Sequence, residues 1–446
     1  MAQYDVIIIG GGISGLMAGY RLAENNKKVL LIEKGNHITK RKCPSKGKCI
    51  QCKSCAITQG LSGAGAFSDG KYIFSSSYGG QLGDYIGNGL TEQLAHEGYE
   101  ILKQFGADSP IYQTDPMLQQ LCLQNDLILV KGELVHFGTD NNLAIMTKFI
   151  EYLETKIEIH TNEEVLDFNY HSGGGVKTDK SLYSCDNIIV AVGRNGNEFI
   201  EKWCMTNNIE TLNNQVDIGV RVEMPALIWK HFSDKIYEPK ILYRTKQYGD
   251  NTRMFCFNSG SAHVVIENND GIVTVNGHSN SGNIEDTGNC NFAVLSTIRF
   301  TDPFHSPVQY CKHIASLANM VSGGSVLVQR FVDLIDGRRT TEKRLAQSTV
   351  RPTLNAVAGD LSLVLPKRQL DNIIETLYQF DKIAKGCANQ DTLLYGIECK
   401  YYSARPVMDE NFQIKEHIYA IGDGAGITRG LGQAAAHGLY VGERII

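Results

Sequence analysis

The sequence predicts an α/β protein: a three-layer domain around a parallel sheet, assembled from both chain ends, with a mixed α+β domain inserted between. Three observations carry this expectation. The chain opens with an apolar strand, a glycine-rich turn, a helical repeat and a second apolar strand. It closes with another apolar strand, a second glycine turn and a helix of small residues. Between them, from about residue 212, strand-like runs alternate with Asn/Gly/Ser turns and two amphipathic segments.

The N-terminal elements come first. Asp5 to Ile9 (DVIII) is a short β-branched run of the kind buried in a parallel sheet. Gly10-Gly11-Gly12-Ile13-Ser14-Gly15 follows with the G-x-G-x-x-G spacing at Gly10, Gly12 and Gly15, and Ile13, Leu16, Met17, Tyr20 and Leu22 then recur on one helical face. Val29 to Ile32 is the second strand and ends in Glu33 and Lys34. Each part has a physical role in a Rossmann-like unit. Gly10 permits the tight turn, Gly12 lets backbone approach a pyrophosphate, and Gly15 lets the helix pack on the strand. Ser14 lies in the first helical turn, whose free N–H groups and dipole favour phosphate. Glu33 stands about 20 residues beyond the glycines, where a carboxylate accepts hydrogen bonds from ribose hydroxyls.

The C-terminal stretch HIYAIGDGAGITRGLGQAAAHG, from His417 to Gly438, resembles the second FAD fingerprint of the glutathione-reductase-like flavoprotein superfamily. The resemblance implies FAD, noncovalently held. It assigns ribityl and pyrophosphate contact to Gly422 and Asp423, and the flavin pyrimidine edge to the backbone of Gly430, Leu431 and Gly432. A helix dipole at that edge stabilises negative charge on reduced flavin. NIIVAVGRNG, Asn187 to Gly196, is similar to the strand and glycine turn (Gly193) that lead the chain out of such a domain, with Val192 where the motif has Thr. Glu163 to Leu166, with Val165 at its centre, is similar to the strand that holds the adenine. Gly173 to Gly175 reads as a hairpin turn. Without a second G-x-G-x-x-G unit, no dedicated nicotinamide domain is expected.

Between Glu33 and the next glycines lies KRKCPSKGKCIQCKSC. Cys43, Cys49, Cys52 and Cys55 place four of the twelve cysteines within thirteen residues. Their C-x5-C-x2-C-x2-C spacing suits one metal centre, an iron–sulfur cluster ahead of zinc. Lys40, Arg41, Lys42, Lys46, Lys48 and Lys53 would offset thiolate charge. Redox-active thiols and an unliganded reduced loop are the alternative readings.

Gly60 to Lys71 (GLSGAGAFSDGK) is rich enough in small residues to pass close to a flat ring, which makes Ser62, Gly63 and Gly65 cofactor candidates. With the cysteine segment, this loop resembles a family of prokaryotic FAD-dependent dehydrogenases that carry a Cys-rich insert before a GxGGAGxFSDGK-like loop. Leu61-Ser62 stands where that pattern has a further glycine. The resemblance extends through Val216–Arg221, Ser348–Thr353, Asp391–Gly396 and the C-terminus, which is nearly the whole chain.

The inserted part reads as strands at Val216–Val222, Met254–Phe257, His263–Ile266 and Ile272–Val275, with helices at His305–Asn319 and Arg368–Lys385. The expected division is 1–211 for the N-terminal part of the FAD-binding domain, with the Cys-rich insert at 40–56; 212–394 for the substrate or cap domain; and 395–446 for the C-terminal part. Substrate contact is expected from Ser68, Asp69, Lys71, Arg351, Tyr402 and Arg405, with Asp69, Lys71 and Arg351 as catalytic candidates. For each charged residue a surface ion pair is an equally good account. His437 reads as structural.

Composition bounds the function. The chain has 446 residues, 42% hydrophobic, 20% charged, with net charge -5, which suits a globular protein and not one whose main partner is nucleic acid. No run is apolar enough for membrane insertion, and the immediate entry into a strand leaves no secretory leader to expect. Unpaired cysteines suit a reducing cytoplasm. The leading expectation is an FAD oxidoreductase, a dehydrogenase or reductase, acting on a small organic substrate where the two domains meet. A flavin-dependent hydroxylase is one alternative. A flavin/iron–sulfur electron carrier or redox sensor, with an electron-transfer partner, is another.

Overall fold

Three of the five strands in a parallel sheet, Gln3–Ile9, Val29–Glu33 and Ile418–Ala420, are built from apolar runs near the two ends of the chain. The computed structural model describes residues 3–44, 52, 55–169, 175–269, 271–279, 286–300, 306–401 and 403–445. These residues form two compact units: 1–111, 132–214 and 402–446 in the first, 112–131 and 215–401 in the second. The expected boundaries at 211/212 and 394/395 therefore shift by a few residues, and 112–131, expected in the FAD-binding part, joins the second unit.

In the first unit Gln3–Ile9 is the central strand. Val29–Glu33 pairs with it on one side and Leu182–Val190 on the other, both parallel, with Val6 opposite Val29 and Ile9 opposite Val190. Ile418–Ala420 extends the sheet beyond Leu182–Val190, and Glu158–Thr161 extends it beyond Val29–Glu33, again in parallel. Gln413–Lys415 closes one edge antiparallel. Strands from both chain ends thus share one Rossmann-like sheet, as the paired fingerprints predict. Val6, Ile7 and Ile8 are fully buried, each contributing about 1.5–3 kcal/mol of hydrophobic stabilisation.

The helix Ile13–Glu24 packs along the terminal helix Leu431–Arg444. A side chain at Gly438 would collide with the Ser14 carbonyl, and one at Gly442 would lie 3.0 Å from the Ala18 carbonyl, so the two backbones touch only because these positions are glycine. Two helices that no motif announced, Asn88–Lys103 and Thr139–Glu154, pack on the terminal and first helices respectively. Val165–Asn169 and Gly175–Thr178 pair antiparallel and continue onto Leu182–Val190. The hairpin turn expected at Gly173–Gly175 falls on residues of which 173 and 174 lie outside the described residues. Phe168 stacks on Trp203 of the helix Asn197–Thr206 at 4.4 Å between centroids.

The second unit is an eight-stranded mixed sheet, in the order Val357–Ala358, Leu327–Arg330, Leu393–Tyr401, Val216–Pro225, Asn289–Ile298, Asn251–Ser259, Ile241–Arg244 and Leu127–Leu129. The last of these explains the misplaced segment: Leu127–Leu129 pairs antiparallel with Ile241–Arg244. It is preceded by the helix Pro116–Leu123, whose first turn is capped by Asp115 accepting the Leu118 amide at 2.9 Å. Ala262–Asn269 and Ile272–Ser279 form the hairpin, and Pro307–Val321 and Lys367–Phe380 the helices, at the positions the periodicity predicts.

On the central strand of this unit Val216, Ile218, Val220, Val222 and Met224 enter an apolar core with Trp229, Phe232, Phe292 and Phe380. Asp217, Arg221 and Glu223 alternate with them and are equally buried, so each needs an internal partner. Thr297 donates to Asp217 at 2.6 Å, Arg221 donates to Asn291 at 2.8 Å and to the Cys256 carbonyl at 2.6 Å, and Tyr395 and Thr353 donate to Glu223 at 2.5 and 2.7 Å.

Candidate functional site

Gly10, Glu33, Gly193 and Gly422 each end, or follow within three residues, one of four adjacent parallel strands. Their carboxyl ends therefore meet along one rim of the sheet, where open α/β folds bind ligands. At that rim Gly10 adopts φ +105°, which favours glycine, and a side chain there would lie 2.5 Å from the Ala191 carbonyl. A side chain at Gly15 would strike the Gly10 carbonyl. Gly12 is different: a Cβ there would meet no protein atom within 4 Å. Gly12 is also the N-cap of Ile13–Glu24, which has no side-chain cap and no acidic residue in its first turn. Its terminal amides and dipole therefore face that open space and attract an anion.

Glu33 is buried beside this loop. Its carboxylate accepts the Gly11 amide at 2.9 Å and the Gly35 amide at 2.8 Å. A carboxylate has about four acceptor positions, so two remain for hydroxyls. The Glu163 amide donates to the Glu33 carbonyl at 3.2 Å, which brings the strand beginning at Val165 to the same corner. Lys34 is exposed.

The loop Gly60–Lys71 lies against the first glycine loop. The Ser62 amide donates to the Gly11 carbonyl at 2.7 Å, and a side chain at Gly63 would come within 3.2 Å of the Gly12 Cα. Leu61 packs on Gly11: a side chain at Gly11 would lie 2.6 Å from the Leu61 methyl. Asn142, from Thr139–Glu154, donates to the Gly65 carbonyl at 2.7 Å and the Ala66 carbonyl at 3.2 Å. A side chain at Gly65 would lie 2.7 Å from Leu431. The loop is thereby held between the first glycine turn and the start of the terminal helix.

At that helix Gly430 is the N-cap, again with no side-chain cap and no acid in the first turn, and a side chain at Gly430 would meet nothing within 4 Å. A side chain at Gly432 would collide with the Ile73 carbonyl. Asp423 accepts Thr428 at 2.7 Å and faces Arg194 at 3.7 Å. Burial raises its carboxyl above the ordinary value, and Arg194 and Thr428 oppose that rise. His437 is wholly buried and accepts the Gly422 amide at 3.1 Å through Nδ1. Burial pushes its imidazole down to about 3, so it is neutral and carries its proton on Nε2. Its expected structural role thus gains a specific object, the Gly422 turn.

The other candidates fall differently. Asp69 and Lys71 pair with each other at 3.5 Å, both partly buried. Ser68 donates to the Gly65 carbonyl at 2.7 Å and serves the loop itself. Arg405 donates to Gln81. Arg351 belongs to the second unit, is exposed, and donates to the Ala346 carbonyl at 2.9 Å. Tyr402 lies outside the described residues, as does Cys49. Of the other three clustered cysteines, Cys43 and Cys52 are exposed and Cys55 is half-buried, and all are free thiols. Among the described residues no group of three or more His, Cys, Asp or Glu side chains is arranged to hold a metal. Burial raises the Cys55 thiol, but the Thr58 and Ile57 amides, the Thr58 hydroxyl and the Arg41 charge lower it by more, so it lies below the ordinary thiol value.

Sequence reasoning placed Arg41 among the cations around the cysteines and gave Asn142 no role. Both turn out to bind carbonyls of the glycine-rich loop. Arg41 is buried and donates through Nε to Ala56 at 3.0 Å, through Nη2 to Ile57 at 2.8 Å, and through Nη1 to Leu61 and Gly63, each at 2.8 Å.

An FAD molecule fits these residues on three counts. Gly12, Gly193 and Gly430 leave space that a Cβ would fill. Two helix N-termini there lack side-chain caps. The Ser62 hydroxyl, on the loop beside Gly11, is buried without a hydrogen-bond partner among the described residues.

Comparison with known proteins adds two family matches. Residues 215–401 match the model described as FAD-dependent protein, C-terminal domain-like, and residues 8–42 match the NAD(P)-binding Rossmann-like domain. No curated protein is a sequence match to the chain. Solved structures similar to it include L-amino acid deaminase from Proteus vulgaris, at 14% identity and TM-score 0.31. That alignment covers 50% of this chain and 54% of the deaminase, so the chain spans about half of that protein's length. Glycine oxidase from Geobacillus kaustophilus matches at 11% identity and TM-score 0.38, covering 100% and 95% of the two chains. L-proline dehydrogenase from P. horikoshii matches at 12% identity and TM-score 0.42, covering 99% and 93%. No helix among the described residues is long and apolar enough to cross a membrane.

Proposed function

We propose that the chain is an FAD-dependent oxidoreductase acting on a small organic substrate. The observation that carries this reading is the uncapped N-terminus at Gly12, which faces open space beside the Glu33 carboxylate. Only a ligand with an anionic group and adjacent hydroxyls uses both features, and the pyrophosphate and ribose of a dinucleotide have them. The match of residues 215–401 to an FAD-dependent family selects FAD among dinucleotides.

When bound, FAD supplies a ring that exchanges a hydride or an electron pair with a substrate. The chain's own residues bind and orient. Gly10, Gly12, Ser14 and Gly15 receive the pyrophosphate, Glu33 the ribose hydroxyls, and Val165 the adenine side. Asp423 and the Gly193 and Gly422 turns serve the ribityl region. Gly63, Gly65 and the amides following Gly430 line the ring. Asp69, Lys71 and Arg351 are assigned to substrate charge or proton transfer. For Asp69 and Lys71 this requires their ion pair to open.

The cysteine segment gives a second reading some weight. A centre ligated by Cys43, Cys49, Cys52 and Cys55, iron–sulfur ahead of zinc, would make the chain an electron carrier as well as, or instead of, an enzyme.

Heat-released cofactor that chromatographs as FAD, followed by anaerobic bleaching of the flavin band in a panel of small reduced metabolites, tests the proposal. A protein that carries FMN, or that takes up no flavin on reconstitution, overturns it. A flavoprotein bleached by a reduced iron–sulfur protein and by no small molecule favours the carrier.

A further inference from the structure

We infer that Arg41 is the positioning residue of the flavin-facing loop, its buried guanidinium setting the Gly60–Gly63 backbone against Gly11 and Gly12 and tying the cysteine segment to it. The part concerning the cofactor rests on the FAD reading above.

The argument begins with geometry. A guanidinium presents five N–H donors in a fixed plane. At Arg41 four of the short bonds go to main-chain carbonyls in two separate turns. Ala56 and Ile57 follow directly on Cys55, and Leu61 and Gly63 flank Ser62. A fifth, longer contact reaches the Gly60 carbonyl at 3.4 Å. Among the described residues the hydrogen bonds of the side chain go to backbone carbonyls and none to a carboxylate. It organises backbone. The Phe67 ring lies under the guanidinium at 4.8 Å, closing the loop over it.

The surrounding glycines make the contact possible. A side chain at Gly60 would lie 2.7 Å from the Arg41 Cδ, and one at Gly35 would lie 2.6 Å from the Gly60 Cα. Gly35 in turn donates its amide to Glu33. Arg41, Gly60, Gly35 and Glu33 are thus one packed chain of contacts ending at the carboxylate assigned to ribose. On the other side of the loop, Ser62 donates to Gly11 and Leu61 donates to the Asn36 carbonyl at 3.0 Å. Removing the guanidinium leaves the buried Leu61 carbonyl and the half-buried Gly63 carbonyl without their donor, and the loop is free to lift from Gly11 and Gly12. A lysine cannot replace it, because one ammonium group cannot reach both turns in the required directions.

The test compares the wild-type protein with Arg41→Lys and Arg41→Ala. FAD titration of the apoprotein is expected to show at least about a tenfold weaker affinity for Arg41→Lys. Amide hydrogen exchange of the apoproteins is expected to rise over 56–63 in both variants, with the strand Gln3–Ile9 as protected as in wild type. Guanidinium added to Arg41→Ala is expected to restore affinity, and methylammonium not. Affinity of Arg41→Lys within about twofold of wild type, or exchange that rises equally in Gln3–Ile9, overturns the inference. If wild-type protein binds no FAD, the cofactor reading fails separately, and the exchange pattern alone then decides whether Arg41 holds the loop.

Discussion

The Gly11 amide donates to the Glu33 carboxylate at 2.9 Å, linking the ends of two neighbouring parallel strands. The other carboxylate oxygen accepts Gly35. Glu33 therefore shapes the glycine loop as well as facing a ligand. Glu33→Gln replaces one acceptor oxygen with an NH2 group that must point at a backbone N–H. The variant is expected to lose about 1–3 kcal/mol of stability and to bind FAD at least about tenfold more weakly. Denaturant midpoints and flavin-fluorescence titration check this, and unchanged values in both would remove Glu33 from the site.

Gly12 and Gly15 separate ligand binding from folding. A Cβ at Gly12 meets no protein atom within 4 Å, and the backbone there (φ −73°) is ordinary. Gly12→Val is expected to fold with wild-type apoprotein stability and to purify colourless. A valine at Gly15 strikes the Gly10 carbonyl, so Gly15→Val is expected to cost about 3 kcal/mol or more. Thermal melts of the two apoproteins, read beside their flavin content, distinguish the roles. A yellow Gly12→Val protein would show that the phosphate lies elsewhere.

What the sequence revealed and what it hid divide along physical lines. Gly10, Gly12, Gly15 and Glu33 were legible because a strand–turn–helix–strand unit places its demands at fixed short spacings. The strand at Leu127–Leu129 was not, because its pairing with Ile241–Arg244 joins segments far apart in the chain. Asn142 carries no motif: an Asn in a helix announces nothing until the loop it binds is in place. Arg41 was visible as a charge, but its acceptors are carbonyls, which any residue supplies, so no pattern marks them. Asp69 and Lys71 drew notice as charged residues in a glycine loop, and their mutual pairing is the plain alternative that composition could not decide between.

His437 makes stability depend on pH. Burial holds its folded-state value near 3, below the ordinary 6.5. The unfolded chain therefore takes up the proton first. The contribution is complete above about pH 6.5 and falls by about 1.4 kcal/mol per unit as the pH drops toward the folded value. His437→Gln keeps an acceptor for the Gly422 amide and removes the titration. Denaturant midpoints between about pH 6 and pH 4 are expected to fall less steeply in the variant, by about one proton's worth of slope. Equal slopes would mean that His437 is solvated in the folded protein.

The cysteine segment yields the remaining prediction. Cys43, Cys49, Cys52 and Cys55 combine a tight spacing with basic neighbours, and three of them are free thiols with Cys43 and Cys52 exposed. That spacing suits one metal centre, and binding of a metal would couple to the folding of the segment. Anaerobically prepared, tag-free protein is expected to contain metal, with iron and labile sulfide in preference to zinc. Cys52→Ser is expected to lose most of it. Because Ala56 and Ile57 follow Cys55 directly and bond to Arg41, the same variant is expected to weaken FAD binding several-fold, by loosening that turn. Iron would make the segment a one-electron relay, whereas zinc would only hold its shape. Protein with neither metal, and with all four cysteines alkylated at the rate of free thiols, would eliminate the metal reading. A disulfide whose reduction shifts the flavin spectrum would replace it with a redox pair.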